Sequence, residues 1–310
     1  MSIPRRHSFM LVAIILGTML MLLLSACSSV SVGVKNPTAK SSYTPLQVLQ
    51  KSTTTMKNLK SAHIGLQSSS NFQVKNQGNS TTAATPTAAS IGGNNATVTI
   101  QGSGDEALPS QEQLHLTVNK NTNLAEIVQG DKVYIQNAQG QWYVLNKSDF
   151  TGLVSNPFSG VNLDTNSMLG LVQHAQITDH GDENVNGQNL RHISATLDKT
   201  ALSQLLKANP QLMGQVGQQN VNNVLNNTKN FQSTVDVWID ESQFYLHRVQ
   251  LKVNVTADTN GIEGTAPSTI TTALNTTLDL SKFNAPITIT VPTNATPTNN
   301  PAAIFGDANP

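Results

Sequence analysis

Residues 234–255 read TVDVWIDESQFYLHRVQLKVNV, and this stretch decides the fold class of the protein. Apolar and polar side chains alternate along it on both sides of a short polar connection. The apolar positions of the alternation are Val235, Val237, Ile239, Val249, Leu251, Val253 and Val255. A period of two predicts two strands with one apolar and one wet face each, as in an antiparallel sheet with one side against a core.

The same alternation recurs outward from this stretch in both directions. Two connections favour hairpins: residues 137–140, which end in Gly140, and Asn186-Gly187, the strongest short hairpin signal that a sequence offers. The pattern predicts roughly ten strands, mostly joined as hairpins. The apolar segments on which this count rests, some of which continue one another, are residues 63–74, 98–100, 114–118, 125–127, 133–135, 142–145, 177–185, 188–197, 235–239, 249–255, 270–280 and 287–291.

Helical patterns precede and separate these strands. Thr44 is the predicted N-cap, and Pro45 the first residue, of a helix over residues 45–60. Further helices are predicted over residues 164–175, 199–208 and 211–226.

These elements add up to one domain over residues 45–291. It is of the α+β class, with helices packed on an antiparallel sheet. Residues 75–95 contain almost no apolar side chain to bury and predict an exposed polar loop. Residues 292–310 are rich in Asn, Thr and Pro and predict a disordered tail.

The N-terminus has the composition of a secretory signal. Arg5 and Arg6 precede an apolar run over residues 9–24. This run is 16 residues long, whereas a membrane-spanning helix needs roughly 20. A basic start, a short apolar run and small residues after it predict a signal peptide over residues 1–26.

The chain's one cysteine, Cys27, follows this signal directly. Leu24-Ser25-Ala26-Cys27 resembles the bacterial lipobox, in which diacylglycerol is attached to the thiol before cleavage. Residues 27–44 are small and polar and predict a lipidated flexible tether. We therefore expect an exported protein that is anchored to the cell membrane by a lipid on Cys27 and faces the extracytoplasmic side.

Uncharged polar residues dominate the composition. The chain has 18 basic and 18 acidic residues, and Ser, Thr, Asn and Gln make up 117 of its 310 residues. Phosphate recognition depends on clustered Lys and Arg, so this balance argues against a nucleic-acid partner. The 38% hydrophobic content is enough for one core.

Chemical motifs are weak. The histidines of the mature chain are His63, His115, His174, His180, His192 and His247. They form no helical pair or HExxH motif, so surface or strand-edge histidines are favoured over metal ligands. Residues 179–183, DHGDE, lack the alternating oxygen ligands of a calcium loop and favour a polar strand end. With no nucleophile elbow or phosphate-binding glycine loop, the sequence predicts no enzyme, no cofactor and no metal site.

Six short segments, in this order along residues 45–291, resemble the LppX/LprG-type bacterial lipoproteins, whose fold is shared with the lipoprotein carrier LolA. The segments are LKSAHI at 59–64, GDKVYI at 130–135, GQWY at 140–143, TVDVWID at 234–240, LHRV at 246–249 and NAPITI at 284–289.

The resemblance implies a curved, incompletely closed antiparallel β-barrel or sheet with helices covering its open side. It also implies an apolar cavity, between sheet and helices, that holds the acyl chains of a lipid or glycolipid. The residues implied to line it are Leu49, Met56, Leu116, Val133, Ile135, Trp142, Met168, Leu171, Leu205, Met213, Val216, Leu225 and Trp238. An ordinary core has the same apolar stripes, so the residues alone leave both interpretations open.

Two functions follow from these expectations. The first is a membrane-anchored lipoprotein that binds lipid or glycolipid and carries it within the cell envelope. The alternative is an envelope sensor or scaffold that uses the same fold to contact a protein partner, as the RseB/MucB-type stress regulators illustrate. A tunnel of several hundred Å³ would favour the carrier, and a filled core the sensor.

Overall fold

The computed structural model describes residues 42–76, 95–146, 175–200, 226–258, 268–299 and 304. In these ranges the chain forms one complete helix, α1, and twelve strands. The elements are α1 Pro45–Lys57, β1 Ser61–Asn76, β2 Asn95–Ala107, β3 Gln111–Val118, β4 Thr122–Gln129, β5 Lys132–Gln136, β6 Trp142–Asn146, β7 Gln176–Val185, β8 Gln188–Leu197, β9 Thr228–Ile239, β10 Leu246–Asp258, β11 Ser268–Ser281 and β12 Thr296–Pro297.

The start of α1 is the predicted one. The Thr44 side chain accepts a hydrogen bond from the Gln47 backbone, and the Gln47 side chain accepts one from the Thr44 backbone, which completes a capping box. The helix ends at Lys57, three residues earlier than predicted, because Asn58 leaves the helical conformation and caps the C-terminus. Of the described part of the chain, no helix is long and apolar enough to cross a membrane.

All twelve strands belong to one sheet in the order β12-β6-β5-β4-β3-β2-β1-β11-β10-β9-β8-β7. Neighbouring strands are antiparallel except for β12, whose two residues pair parallel with β6. The sheet is open, because β12 and β7 lie at opposite edges. The predicted antiparallel sheet that does not close into a barrel is therefore confirmed.

β1 is the strand that joins the two halves of the molecule. It pairs with β2, its neighbour in sequence, and along nearly its whole length with β11, from His63 opposite Ser281 to Asn76 opposite Ser268. Strands β2 to β6 thus follow one another on one side of β1, and β11 back to β7 follow on the other side.

Both predicted hairpin connections are present. Asn186 and Gly187 join β7 to β8 with φ angles of 52° and 82°, the left-handed conformation that a two-residue hairpin turn of this type requires. Gly140 lies in the connection between β5 and β6 and has a φ of 81°.

The C-terminal predictions are wrong. Residues 287–291 form no strand. The tail predicted as disordered over 292–310 is partly ordered: Thr296–Pro297 pairs with β6, and Ile304 is fully buried against Val133, Ile135 and Leu145. Burial of the apolar Ile304 side chain stabilises this part of the tail against the sheet.

Several predictions lie outside the described residues. They are the signal peptide and Cys27, the loop between β1 and β2, and almost all of the helices predicted over residues 164–175, 199–208 and 211–226.

Candidate functional site

The two faces of the sheet differ in chemistry, and the face that contacts α1 is called here the inner face. Val48 of α1 is fully buried against it, and Leu49 and Met56 pack on the same cluster. The strands contribute the alternate residues that the period of two predicts. The buried strand residues of this cluster are Ala62, Ile64, Leu114, Leu116, Ile193, Val237, Ile239, Leu246, Val249, Leu278 and Leu280.

The apolar surface of the inner face extends well beyond α1. On one side, Leu197, Leu251 and Val253 form a second cluster, to which Phe231, Val235, Val255 and Leu274 add half-buried side chains. On the other side, Val128, Val133, Ile135, Leu145 and Ile304 form a third cluster. A helix of 13 residues is about 20 Å long, and twelve strands span about 50 Å. The helix α1 is therefore much shorter than the sheet is wide.

Five of the predicted lining residues lie on α1 or on the inner face. Leu49, Met56 and Leu116 belong to the cluster around α1, while Val133 and Ile135 belong to the cluster with Ile304. The structure thus places these five in two neighbouring groups on one apolar surface.

The two tryptophans lie elsewhere. Trp142 is opposite Gln136 and Trp238 opposite His192, positions out of phase with the inner-face residues of the same strands. Because successive strand residues point to opposite faces, both lie on the outer face, apart from the other predicted lining residues. Met168, Leu171, Leu205, Met213, Val216 and Leu225 lie outside the described residues.

Three buried carboxyl groups interrupt the apolar surface of the inner face. Glu106, Glu112 and Glu126, on β2, β3 and β4, are 3%, 1% and 4% exposed. Glu106 lies directly opposite Glu112, and Glu126 lies opposite Leu114. They were not predicted from the sequence, because an apolar residue is the usual occupant of such an alternate strand position. The signal that could have found them is the phase of their strands, since Glu112 shares it with Leu114 and Leu116.

The outer face carries a groove of about 580 Å³ above β2 to β5. Its walls include Gln101, Ser103, His115, Thr117, Asn123 and Gln136. Amide and hydroxyl groups dominate these walls, whereas a site for an apolar chain is lined mainly by apolar side chains. The groove is therefore not the predicted lipid cavity.

A second cluster of polar groups lies on the outer face, across β7, β8 and β9. His180, His192 and Asp236 each bring one nitrogen or oxygen atom to within 4.8 Å of the others. The sequence predicted no metal ligand among the histidines, because their spacing along the chain shows no motif. The pairing of three strands, rather than local spacing, brings the three residues together.

Comparisons with known proteins identify a family and a few similar structures. No curated protein matches the chain. Among solved structures, the chain is similar to the lipoprotein LppX of Mycobacterium tuberculosis, with 16% identity and a TM-score of 0.39 over 79% of this chain and 97% of that one. It is also similar to LprF of Mycobacterium bovis, with 18% identity and a TM-score of 0.38 over 79% of this chain and 95% of that one.

LppX is of the type that the sequence resembles, but TM-scores below 0.5 carry no information about what this chain binds. The assignment to a family comes from the sequence itself. Residues 44–299, which include every strand described above, match the family described as a family of unknown function, DUF6612. The chain belongs to the DUF6612 family.

Proposed function

We propose that the protein is an exported lipoprotein, anchored through Cys27, that binds the acyl chains of a lipid or glycolipid on the inner face of the sheet and carries this lipid within the cell envelope. The observation that carries the proposal is the apolar surface of the inner face, which extends beyond α1 on both sides. An acyl chain gains about 0.8 kcal/mol for each CH₂ group that it buries, so such a surface can hold one without any catalytic group.

The cluster on β8 to β11 is the part of this surface best suited to a ligand. Its members Phe231, Val255 and Leu274 are half-buried and lie beside the buried Leu251 and Val253. Half-buried apolar side chains on a continuous apolar surface can take up further apolar contacts without displacing the core. The anchor on Cys27 would keep the loaded protein close to the membrane, because two acyl chains attach a protein stably where one does not.

The test compares two neighbouring residues of β10 that lie on opposite faces. In a chain carrying Cys27→Ser, which should gain no acyl mass, Val255→Asp is expected to weaken binding of a fluorescent fatty acid at least 10-fold, because a carboxylate enters the apolar surface. Asn254→Asp introduces the same charge on the exposed outer face and is expected to leave binding unchanged. Binding is measured by fluorescence titration, and bound lipid by native mass spectrometry.

Two results would contradict the proposal. One is a Cys27→Ser protein that carries no co-purified lipid and binds no fatty acid, which would favour the sensor or scaffold function. The other is unchanged binding in Val255→Asp. Far-UV circular dichroism and thermal melting check that both variants fold. If Val255→Asp does not fold, Val255→Thr provides a milder change at the same position.

A further inference from the structure

Four polar side chains come together on the outer face of β7, β8 and β9. His192 Nε2 lies 3.0 Å from Asp236 Oδ1. His180 Nε2 lies 2.7 Å from Ser194 Oγ, and the Ser194 hydroxyl donates a hydrogen bond to the same Asp236 oxygen. Two imidazole nitrogens, a carboxylate oxygen and a hydroxyl therefore surround one small region.

A bulge in β7 lies at His180, within this cluster. The register between β7 and β8 shifts between Asp179 and Gly181, so that His180 is the extra residue, and Gly181 has a φ of 77°. Such a bulge shifts the alternation for the residues that follow it, which brings Glu183 to the same face as His180 and His192. The His180 ring stacks on the His192 ring, with 4.3 Å between the ring centroids.

Ring stacking and a carboxylate contact fix the orientation of the His192 ring. Trp238 stacks on it at 4.3 Å between centroids and an interplanar angle of 12°. Glu183 Oε2 lies 3.0 Å from His192 Nδ1 and also accepts a hydrogen bond of 2.8 Å from Trp238 Nε1. In metal sites a histidine ligand typically donates its other ring N–H to a carboxylate, which fixes the tautomer and directs the free nitrogen to the metal. Glu183 occupies this position.

We propose that His180, His192 and Asp236 bind a divalent transition metal ion such as Zn²⁺, with Glu183 orienting His192. Two imidazoles and one carboxylate suit zinc and its neighbours in the first transition series, whereas magnesium and calcium prefer oxygen ligands throughout. Zinc with three protein ligands accepts a fourth from water, and the Ser194 hydroxyl lies beside that position. The exposed side chain of His180 gives an ion access from solvent.

Lys252 is a cation beside the cluster. Its Nζ lies 3.8 Å from Oδ2 of Asp236, while the two histidines face Oδ1 and the neighbouring Ser194 hydroxyl. Half of the Lys252 side chain is exposed, so it can move away from the carboxylate when an ion binds. An exposed lysine of this kind contributes little to the binding energy of its partner.

The experiment uses the Cys27→Ser chain without a histidine tag and Zn²⁺ as the probe. Titration against a chromophoric chelator is expected to show one Zn²⁺ per chain. We expect His180→Ala and Asp236→Asn each to weaken binding at least 100-fold, and Glu183→Gln to weaken it about 10-fold. His115→Ala removes another exposed outer-face histidine and is the matched control, with unchanged affinity. Co²⁺ absorption in the visible range reports the number and geometry of the ligands.

Absence of stoichiometric Zn²⁺ binding by the parent chain would overturn the proposal and leave a hydrogen-bonded cluster only. Binding that survives His180→Ala would overturn it too, and because His180 is exposed this variant is expected to fold normally. Val255→Asp, on the opposite face, is expected to leave Zn²⁺ affinity unchanged, so that failure of the metal site and failure of the lipid site are seen separately.

Discussion

Asp240 is the residue that organises the turn between β9 and β10. Its carboxylate accepts hydrogen bonds from the backbone N–H groups of Ser242, Gln243 and Tyr245 at 2.9, 2.7 and 3.0 Å, and from Ser242 Oγ at 2.6 Å. Burial raises the pKa of Asp240, but hydrogen bonds from His247 and from these groups outweigh burial and bring the pKa down from 3.8 to about 2.

We therefore expect Asp240→Asn to lower the free energy of unfolding by about 1–2 kcal/mol at pH 7, since the amide oxygen keeps part of the hydrogen bonding but none of the charge. A carboxyl whose pKa is lowered by folding stabilises the protein above its unfolded pKa, near 4, and loses this effect as the pH falls toward 2. Urea unfolding at pH 7, 4 and 2 should show the difference between parent and variant shrinking at each step.

Asp131→Asn, in the exposed turn between β4 and β5, is the control and should change the urea midpoint little at any pH. A difference for Asp240→Asn that stays constant with pH would mean that the charge of Asp240 does not stabilise the turn.

At the residue scale, the sequence predicts those features that depend on residues close together in the chain. Thr44 and Pro45 were predicted to begin α1 because capping involves residues only three apart in sequence. The position of Glu183 beside His192 could not be predicted, because a single bulge in β7 reverses the alternation on which face assignments rest. The approach of His192 to Asp236 depends on the pairing of β8 with β9, a contact between residues more than 40 positions apart.

At the scale of elements, β2 contains an unusual pair of glycines on the inner face. The side chain of Leu116 lies across Gly102 and that of Leu114 across Gly104, and the backbone of β3 runs close to both glycines. A Cβ on Gly104 would overlap the carbonyl oxygen of Gln113 and come within 2.8 Å of Leu114 Cδ2. The glycines let the leucines fill the space that their own side chains would otherwise occupy.

Gly104→Ala is therefore expected to destabilise the protein by more than about 2 kcal/mol, because the rigid backbone of β3 must move to admit one methyl group. Gly65→Ala is the matched control, since a Cβ there meets nothing nearer than the Asp279 Cβ at 3.6 Å, an ordinary van der Waals contact. Chemical denaturation of the two variants should separate them clearly. Equal stabilities would show that β2 and β3 do not approach each other as closely as described.

Elements were predictable where their signal is local. The hairpin at Asn186-Gly187 and the strands β9 and β10 follow from turn chemistry and alternation within about 25 residues. Only the segment 98–100 of β2 was predicted, because Gly102 and Gly104 are poor strand residues until Leu114 and Leu116 cover them. β12 was missed because two residues carry no periodicity, and burial of Ile304 against a distant cluster keeps this part of the tail in place.

At the scale of the whole molecule, the fold depends on the contact between β1 and β11. Gln67 and Thr277 are opposite each other in this pairing, 210 positions apart in sequence. Hairpin signals predict each half of the sheet, but nothing in the sequence indicates that β11 returns to β1. The large apolar surface of the inner face likewise exists only when the two halves are joined.

A disulfide across this contact should stabilise the molecule strongly. In the Cys27→Ser chain, Gln67→Cys combined with Thr277→Cys closes a loop of about 210 residues, for which the loss of chain entropy in the unfolded state predicts a gain of up to about 5 kcal/mol. Asn184→Cys with Asn189→Cys, across the β7–β8 turn, closes a loop of a few residues and should gain much less. The comparison is between urea midpoints of oxidised and reduced protein.

Failure of the Gln67–Thr277 pair to oxidise, while the hairpin pair does so, would contradict the register between β1 and β11. Oxidation without added stability would mean that the bridge strains the native sheet.

The pairing of β1 with β11 also means that β1 is synthesised well before its partner strand. Ser268, the first residue of β11, is 192 residues after Asn76, the last residue of β1. At synthesis rates of about 5–20 residues per second, β1 therefore waits about 10–40 seconds for this partner, with one row of backbone groups open to other chains. Its middle, Gln67-Ser68-Ser69-Ser70-Asn71, is uncharged and carries no large apolar side chain. A nascent chain with such a segment at its open edge offers little apolar surface for another copy to bind, and that protects the protein during the interval before its sheet is complete.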